Sequence, residues 1–224
     1  MTSRRASDAW EAWRAESKAH AEERWKRVQE LERRKEKDWL AATRRRLAQL
    51  AQAEILGSHE QSRLKELDFR DLAHADQDRL GRAIPMRQLF AFGLARDPAD
   101  PDQPLARRSL RLNNGRKLRD GRLSLQVFVD RAQALPAGMN IQIRGLDRDR
   151  GRPYYLRYDL DVVSMGTGLV THFNAHWHAG EDPDATDAEE LDPRLPSLIL
   201  DPTAVLEVLI ETFFPHGPGD VMDE

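Results

Sequence analysis

Polar side chains recur at every second position in two neighbouring stretches, YYLRYDLD at residues 154–161 and HFNAHWH at residues 172–178. Side chains of a β-strand point alternately to opposite faces, so each stretch would present one apolar and one polar side. The polar positions are Tyr155, Arg157, Asp159 and Asp161 in the first stretch and His172, Asn174, His176 and His178 in the second. Imidazoles and carboxylates bind metal ions and carry protons, so these positions hold the most concentrated chemistry of the sequence.

We predict that the two stretches pair as one antiparallel hairpin, from Pro153 to His178, which turns at Gly166 and Gly168. Such pairing brings both polar sides to one face of the sheet. His176 and His178 would then point the same way, and Glu181, Asp159 or Asp161 would supply a carboxylate near them. Two imidazoles and a carboxylate form a nitrogen and oxygen ligand set for a divalent metal such as zinc, iron or manganese.

Two further explanations of this face stay open. Without a metal, Arg157 facing His176 can hold a phosphate while His172 or His178 acts as base or acid on a phosphodiester. The predicted catalytic residues are Arg157, Asp159, His172, His176 and His178. A solvated or hydrogen-bonded histidine-rich face explains the same residues with no ligand at all, and short motifs of this kind favour that simpler explanation. The sequence therefore requires no cofactor.

A second candidate site is a basic hairpin at residues 107–122, which has seven cations against one acidic residue. Its cations are Arg107, Arg108, Arg111, Arg116, Lys117, Arg119 and Arg122. Such a patch can neutralise the phosphates of a nucleic acid, although no aromatic residue is interleaved for base stacking. The alternatives are an edge hairpin kept soluble by its charge, or a surface covered by the acidic stretch at residues 180–192.

These strands follow a long N-terminal stretch that has no proline or glycine between residue 4 and Gly57 and is rich in helix formers. We predict one helix over residues 4–56, roughly 75–80 Å long. It carries four tryptophans that a solvated helix does not explain, and we predict that they bind a partner chain, a second copy or the chain's own C-terminal body. They are Trp10, Trp13, Trp25 and Trp39.

The rest of the chain suggests helices, then a linker, then a sheet. Residues 60–96 suit helices, the last of them IPMRQLFAFGLAR at 84–96, and three prolines at residues 97–104 mark a linker. The period then changes to two, with candidate turns at Asn114-Gly115, Asp120-Gly121 and Pro136–Gly138. Asp201 and Pro202 suit the start of a final helix whose apolar stripe covers the sheet.

The predicted fold class is therefore α+β, a long N-terminal helical arm followed by an antiparallel sheet packed against a C-terminal helix. We predict a helical arm and helical segment at residues 1–96, a linker at 97–104 and a sheet domain at 105–224. The C-terminal region of the sheet domain is acidic, because residues 181–224 hold one basic and 13 acidic side chains. The absence of cysteine excludes disulfides and thiolate chemistry. No apolar run suits a signal peptide or a membrane span, so we expect a cytoplasmic protein that does not enter a membrane.

Four features from Tyr154 onward resemble those of a known protein class. They are a strand with the pattern Tyr-x-x-Arg-Tyr-Asp, the histidine-rich strand HFNAHWH, the proline-rich link DPRLPSLILDP and the terminal helix TAVLEVLIETFF. This plan resembles the small TumE-like toxins of bacterial toxin–antitoxin operons, over about a third of the chain. The resemblance implies a bacterial conflict or defence setting, with Arg157, Asp159, His172, His176 and His178 at the site. The chain departs from those toxins by its roughly one hundred N-terminal helical residues.

The sequence thus supports three functions. The first is an interaction or assembly subunit of a bacterial multi-protein system, of the toxin–antitoxin or antiviral-defence kind, which docks through its N-terminal helix onto a protein partner or a second copy. The second is a nuclease or metal-dependent hydrolase that uses the histidine-rich face. The third is a nucleic-acid-binding accessory protein that uses the basic hairpin. Whether the protein is an enzyme stays open at this stage.

Overall fold

The computed structural model of the chain describes residues 4–31, 36–60, 64, 89–93, 109–132, 134–161, 174–181, 195–196, 199 and 201–222. Three α-helices lie in these ranges, α1 (Arg4–Leu31), α2 (Glu36–Gln52) and α3 (Pro202–Phe213). One antiparallel sheet contains β1 (Leu89–Gly93), β2 (Leu110–Arg111), β3 (Leu118–Asp130), β4 (Leu135–Asp147), β5 (Arg152–Asp161), β6 (Asn174–Gly180) and β7 (Leu195–Pro196). The prediction of an α+β fold with an antiparallel sheet is confirmed.

The sheet is built around the two longest strands, β3 and β4, which pair along most of their length. The strands lie in the order β1, β3, β4, β5, β6, β7, and β2 also pairs with β3. Each long strand alternates between apolar and polar residues, so the sheet has an apolar face and a polar face. We call the side that carries Gln142, Arg157 and His178 the polar face, because these residues lie opposite one another on adjacent strands.

All three helices share one hydrophobic core with the apolar face of the sheet. Leu125, Ile141 and Tyr158 of the strands belong to the same buried cluster as helix residues of α1, α2 and α3. Burial of each such aliphatic or aromatic side chain contributes about 1.5–3 kcal/mol. The helix residues of this cluster include Trp13, Trp39, Leu47, Leu50, Val205, Leu206, Leu209 and Ile210.

Helix α3 begins where its sequence predicts. The Oδ1 atom of Asp201 accepts a hydrogen bond from the backbone N–H of Thr203 at 2.9 Å, and Pro202 occupies the first helical position. The helix ends at Phe213, whose ring meets that of Tyr154 edge-on at 6.1 Å between centroids. The C-terminal helix and its packing on the sheet are therefore confirmed.

The N-terminal residues form two helices that lie side by side. Glu16 of α1 accepts hydrogen bonds from Arg45 and Arg46 of α2, at 2.7 and 3.2 Å. In one straight helix residues 16 and 46 would be about 45 Å apart. The prediction of one continuous helix over residues 4–56 is therefore wrong. Packing between helices stabilises helical structure more than local propensity does, and that packing folds α2 back against α1.

Three of the four N-terminal tryptophans belong to the core of the chain itself. Trp13 and Trp39 are fully buried, and Trp10 is 3% exposed. The Nε1 group of Trp39 donates to the carbonyl oxygen of Ala134 at 2.8 Å. The sequence predicted that these tryptophans bind a partner chain, a second copy or the chain's own body, and these three rings pack in the chain's own body. The side chain of Trp25 lies outside the described residues.

The segment before the predicted linker holds a strand where we predicted a helix. Residues Leu89–Gly93 pair with β3, and Phe92 lies opposite Val127 with no exposed surface. A short run that is apolar on every side suits a buried strand as well as a buried helix, and pairing with β3 decides between them. The predicted linker at 97–104 lies outside the described residues, and β1 before it joins the same sheet as β3 after it.

The predicted turns are partly displaced. Asn114 and Gly115 lie in the connection between β2 and β3, as predicted. Asp120 has φ of 52° and lies with Gly121 inside β3, where the pairing with β4 shifts register, so this pair forms a bulge instead of a turn. The turn before β4 includes Ala134 with φ of 54°, and residues 136–138 already belong to β4.

Within the described part of the chain, none of the helices has the length and apolar character needed to cross a membrane.

Candidate functional site

The predicted pairing of the two polar stretches is confirmed by the register of β5 and β6. These strands are antiparallel, with Arg157 opposite His178 and Asp159 opposite His176. Both polar sides therefore lie on one face of the sheet. The predicted partners of Arg157 need one correction, because Arg157 faces His178, not His176, and Asp159 takes the place opposite His176. The predicted turn at Gly166 and Gly168 lies outside the described residues, as does His172.

Strand β4 adds two side chains to this face that the sequence analysis missed. Asn140 lies opposite Asp159, and Gln142 lies opposite Arg157. The signal for them was present, because Asn140 and Gln142 alternate with the apolar residues of MNIQIR at positions 139–144. Only the register between β4 and β5 shows that they reach the same group of residues.

The carboxylate of Asp159 is the centre of the group. Its Oδ1 atom accepts a hydrogen bond from Nδ2 of Asn140 at 2.5 Å. Its Oδ2 atom lies 2.7 Å from Nε of Arg157 and 3.1 Å from Nε2 of His178. Every polar neighbour in this set is a donor or a cation, so the site is built to hold a negative charge.

The balance of these effects keeps Asp159 ionised. Burial raises the pKa of the Asp159 carboxyl, and the hydrogen bond from His178, the charge of Arg157 and the hydrogen bond from Asn140 act in the opposite direction. Together they lower the pKa of Asp159 below its ordinary value. A carboxylate held in its charged form is the state that binds a cation.

The two histidines are buried beside this carboxylate. His178 is 3% exposed and His176 is 6% exposed, and their ring centroids lie 4.3 Å apart. A solvated histidine face, one of the simpler explanations, does not describe these two side chains. Strand geometry explains their closeness, because residues two apart on β6 point to the same side.

A metal ion fits the chemistry of these three residues. One ligand atom from each of Asp159, His176 and His178 lies within 4.8 Å of the others. Tetrahedral zinc with bonds of about 2.0–2.1 Å needs ligand atoms roughly 3.4 Å apart, so modest side-chain rotations would bring the three atoms to that spacing. Two imidazoles and one carboxylate leave further coordination positions open for water or substrate.

A second buried amide lies at the border of the group. Gln142 is 6% exposed, and its Nε2 atom has no hydrogen-bond partner among the residues that the structure describes. Such a buried donor costs about 1–3 kcal/mol when it lacks an acceptor. Because Gln142 lies opposite Arg157, an anion bound at Arg157 would also be placed to accept from this amide.

The structure describes five of the seven cations of the predicted basic hairpin. Arg111 and Arg122 are exposed and lie opposite each other on β2 and β3. Arg116 lies in the connection between these strands, 4.0 Å from Asp220, while Arg119 lies 3.6 Å from Asp120. Lys117 donates to the carbonyl oxygen of Thr212 at 3.3 Å, and Arg107 and Arg108 lie outside the described residues.

Comparison with known proteins finds no matching family model, no matching curated protein and no matching solved structure. The resemblance to TumE-like toxins therefore stays a prediction from sequence. The observation that bears on function is the geometry of the polar face.

Proposed function

We propose that Asp159, His176 and His178 bind a divalent transition metal and that the protein is a metal-dependent hydrolase. The observation that supports this proposal is the convergence of two buried imidazoles and an ionised carboxylate from adjacent strands. Nitrogen and oxygen ligands of this kind suit zinc, iron or manganese. Bound at such a site, a metal ion lowers the pKa of a coordinated water and so supplies a nucleophile for hydrolysis.

The surrounding residues have distinct roles in this proposal. Asn140 holds Oδ1 of Asp159, which fixes the orientation of the carboxylate as outer partners of metal ligands do. Arg157 lies against Oδ2 of the same carboxylate, with 21% of its side chain exposed. It therefore competes with a metal ion for that oxygen and offers a charged group to an anionic substrate beside the site.

Metal binding tests the proposal directly. After removal of metals with a chelator, titration calorimetry with Zn²⁺ and Mn²⁺ should show one site in the wild type. Asp159→Asn, His176→Ala and His178→Ala should each weaken binding at least about 100-fold, and Asn140→Ala about 10–100-fold. His216→Ala removes an exposed histidine elsewhere and should change nothing.

Arg157→Gln should change the metal affinity in the opposite direction. It removes the competing guanidinium, so we expect tighter metal binding together with weaker turnover of a phosphodiester such as bis(p-nitrophenyl) phosphate. Equal metal stoichiometry and affinity in the wild type and in both histidine variants would refute the metal site. The melting temperature of each metal-free variant serves as the control for folding.

Docking through the N-terminal helices stays a prediction with less support. The tryptophans that suggested it lie in the core in three of four cases. Among the side chains that the structure describes, Met222 is the one large apolar residue that is exposed. Light scattering on the purified protein tests for a second copy, and a monomer at high concentration would remove that possibility. The toxin–antitoxin and antiviral-defence settings likewise stay predictions.

A further inference from the structure

Three arginines occupy directly opposite positions on three neighbouring strands of the polar face. Arg111 of β2 lies opposite Arg122 of β3, and Arg122 lies opposite Arg144 of β4. On the next strand, β5, Tyr155 lies opposite Arg144, and Arg157 lies two residues further along that strand, next to the metal-ligand group. We call Arg111, Arg122, Arg144 and Arg157 the arginine row. Arg111 and Arg122 belong to the basic hairpin of the sequence, whereas Arg144 lies in another stretch, and the strand register aligns all three.

Within the arginine row, the opposed pair Arg122 and Arg144 is unfavourable without an anion. Neighbouring strands are about 4.8 Å apart, and like charges directly opposite each other destabilise a sheet. Among the residues that the structure describes, no carboxylate forms an ion pair with Arg122 or Arg144. Guanidinium groups bind phosphate oxygens through paired hydrogen bonds, so phosphates are the ligands that such a row suits.

Exposure decreases along the row toward the metal-ligand group. Arg111 and Arg122 are exposed and Arg144 is half-buried. The side chain of Arg157 is 21% exposed and that of His178 only 3%. The unsatisfied Nε2 of Gln142, opposite Arg157, adds a neutral donor near the inner end. The polar face therefore leads from solvent-exposed cations to the buried residues of the proposed metal site.

We propose that the arginine row binds the phosphate backbone of a nucleic acid and directs one phosphodiester to Asp159, His176 and His178. The row spans three strands, or roughly 10 Å, before Arg157, which suits repeating phosphates better than one isolated phosphate group. Among the side chains that the structure describes, no aromatic ring is exposed for base stacking, so binding depends on the backbone and not on base sequence. This inference deepens the proposed function and rests on it for the chemical step.

The reaction then has a simple balance. A water oxygen bonds to phosphorus, the bond from phosphorus to the leaving oxygen breaks, and a proton from the water ends on that leaving oxygen. The products are a phosphomonoester end and a hydroxyl end, and no oxidant or other reactant is needed.

Nucleic-acid affinity tests the row separately from the metal site, because it is measured in a chelator. The probes are fluorescein-labelled DNA of roughly 20 base pairs, an RNA duplex of the same sequence, and each single strand. Fluorescence anisotropy over a range of salt concentrations gives the affinity and its salt dependence. Arg122→Gln/Arg144→Gln removes two charges from the row, and Arg5→Gln/Arg14→Gln removes two exposed charges from α1 as a matched control.

For duplex DNA, two lost phosphate contacts should reduce the slope of log affinity against log salt by about 1.8, because each contact contributes about 0.9. At 0.1 M salt the affinity should then fall roughly 60-fold. The control variant should bind like the wild type, and metal affinity should be the same in all three proteins. His178→Ala should bind nucleic acid like the wild type and should lose metal binding. A failure of the metal site can therefore be distinguished from a failure of the arginine row.

Three results would overturn the inference. The first is that the wild type binds none of the probes, even after Asp182, Asp184, Asp187 and Glu189 are replaced by their amides. The second is that the row variant binds as tightly as the wild type, and the third is that both double variants lose equal affinity through their net charge. If the wild type binds no probe until Asp182, Asp184, Asp187 and Glu189 are replaced by their amides, the acidic stretch of the chain competes for the row, and the phosphate-binding capacity of the row is supported.

Discussion

Replacement of Arg46 by methionine should destabilise the whole protein, because this guanidinium joins the three helices inside the core. Its side chain has no exposed surface, and its Nη2 atom lies 2.6 Å from Oε1 of Glu207 in α3, whose side chain is 4% exposed. The guanidinium also lies 3.5 Å from the ring centroid of Trp13 and donates to Gln49 at 2.9 Å. Burial lowers the pKa of Arg46, and the nearby charges of Glu207 and Glu16 oppose that shift.

The expected cost follows from the carboxylate that the substitution leaves behind. Removal of one partner of a buried ion pair typically costs about 3–5 kcal/mol, chiefly because the other charge stays buried. Glu16 is 23% exposed and still pairs with Arg45, so the penalty falls mainly on Glu207. We therefore expect Arg46→Met to lower the free energy of unfolding by about 3 kcal/mol, which is a drop of roughly 6–12 °C in melting temperature.

A double-mutant cycle isolates the buried pair. Arg46→Met/Glu207→Met replaces both charges with apolar groups, which is often neutral or stabilising, so the double variant should recover at least about 2 kcal/mol relative to Arg46→Met alone. Arg45→Met is the matched control, because Arg45 pairs with the same Glu16 while 62% of its side chain is exposed. An exposed pair of this kind contributes between zero and about 1 kcal/mol.

Urea unfolding followed by circular dichroism measures these free energies. If Arg46→Met stays within about 0.5 kcal/mol of the wild type, the N-terminal helices are not part of the core. Sheet and helix signals that unfold at different urea concentrations would point the same way, to a separate helical arm of the kind predicted from the sequence. A single transition with strong coupling between Arg46 and Glu207 supports one body.

Two further predictions concern Asp159 and the glycine beneath Trp10. Because the pKa of Asp159 is lowered in the folded protein, its ionised form stabilises the fold above the ordinary carboxyl pKa of about 3.9, and this contribution is lost as pH falls through the lower folded value. The difference in unfolding free energy between the wild type and Asp159→Asn should therefore be constant from about pH 7 to about pH 5 and shrink below about pH 4. If that difference vanishes by about pH 5, the pKa of Asp159 is not lowered in the folded protein. A Cβ on Gly217, whose φ is 60°, would lie 2.0 Å from the ring of Trp10, so Gly217→Ala should cost about 2–5 kcal/mol in thermal unfolding. Gly151→Ala, with φ of 66° and open space around the Cβ position, should cost only about 1–2 kcal/mol. Equal losses at both sites would argue against the packing of Trp10 on the 3₁₀ helix Gly217–Asp220.

Local patterns in the chain were sufficient to predict several elements. The cap at Asp201, the proline after it and the apolar stripe of the final helix are consecutive residues whose physical roles do not depend on distant contacts. The alternation of Arg157 and Asp159, and of His176 and His178, likewise predicts that their side chains share a face, because strand geometry alone determines the side to which a residue points.

Tertiary contacts determined the elements that the sequence did not predict. Nothing in the N-terminal sequence marks the reversal that places Arg46 against Trp13, because every residue there is a fair helix former and the packing of α2 on α1 is what favours two helices. The segment at 89–93 becomes a strand because β3 offers it a partner. In both cases segments far apart in sequence compete for contacts, and the free energy of those contacts exceeds the local preference.

The same distinction between local pattern and tertiary contact applies to the candidate site. The sequence alone determined which side chains of β5 and β6 can share a face, since this follows from a period of two within each strand. Only the tertiary structure decided that Arg157 faces His178, that Asn140 holds Asp159, and that arginines from three strands form one row. Register is a property of the pairing between strands, and a shift by one residue would move every one of these side chains to the other face.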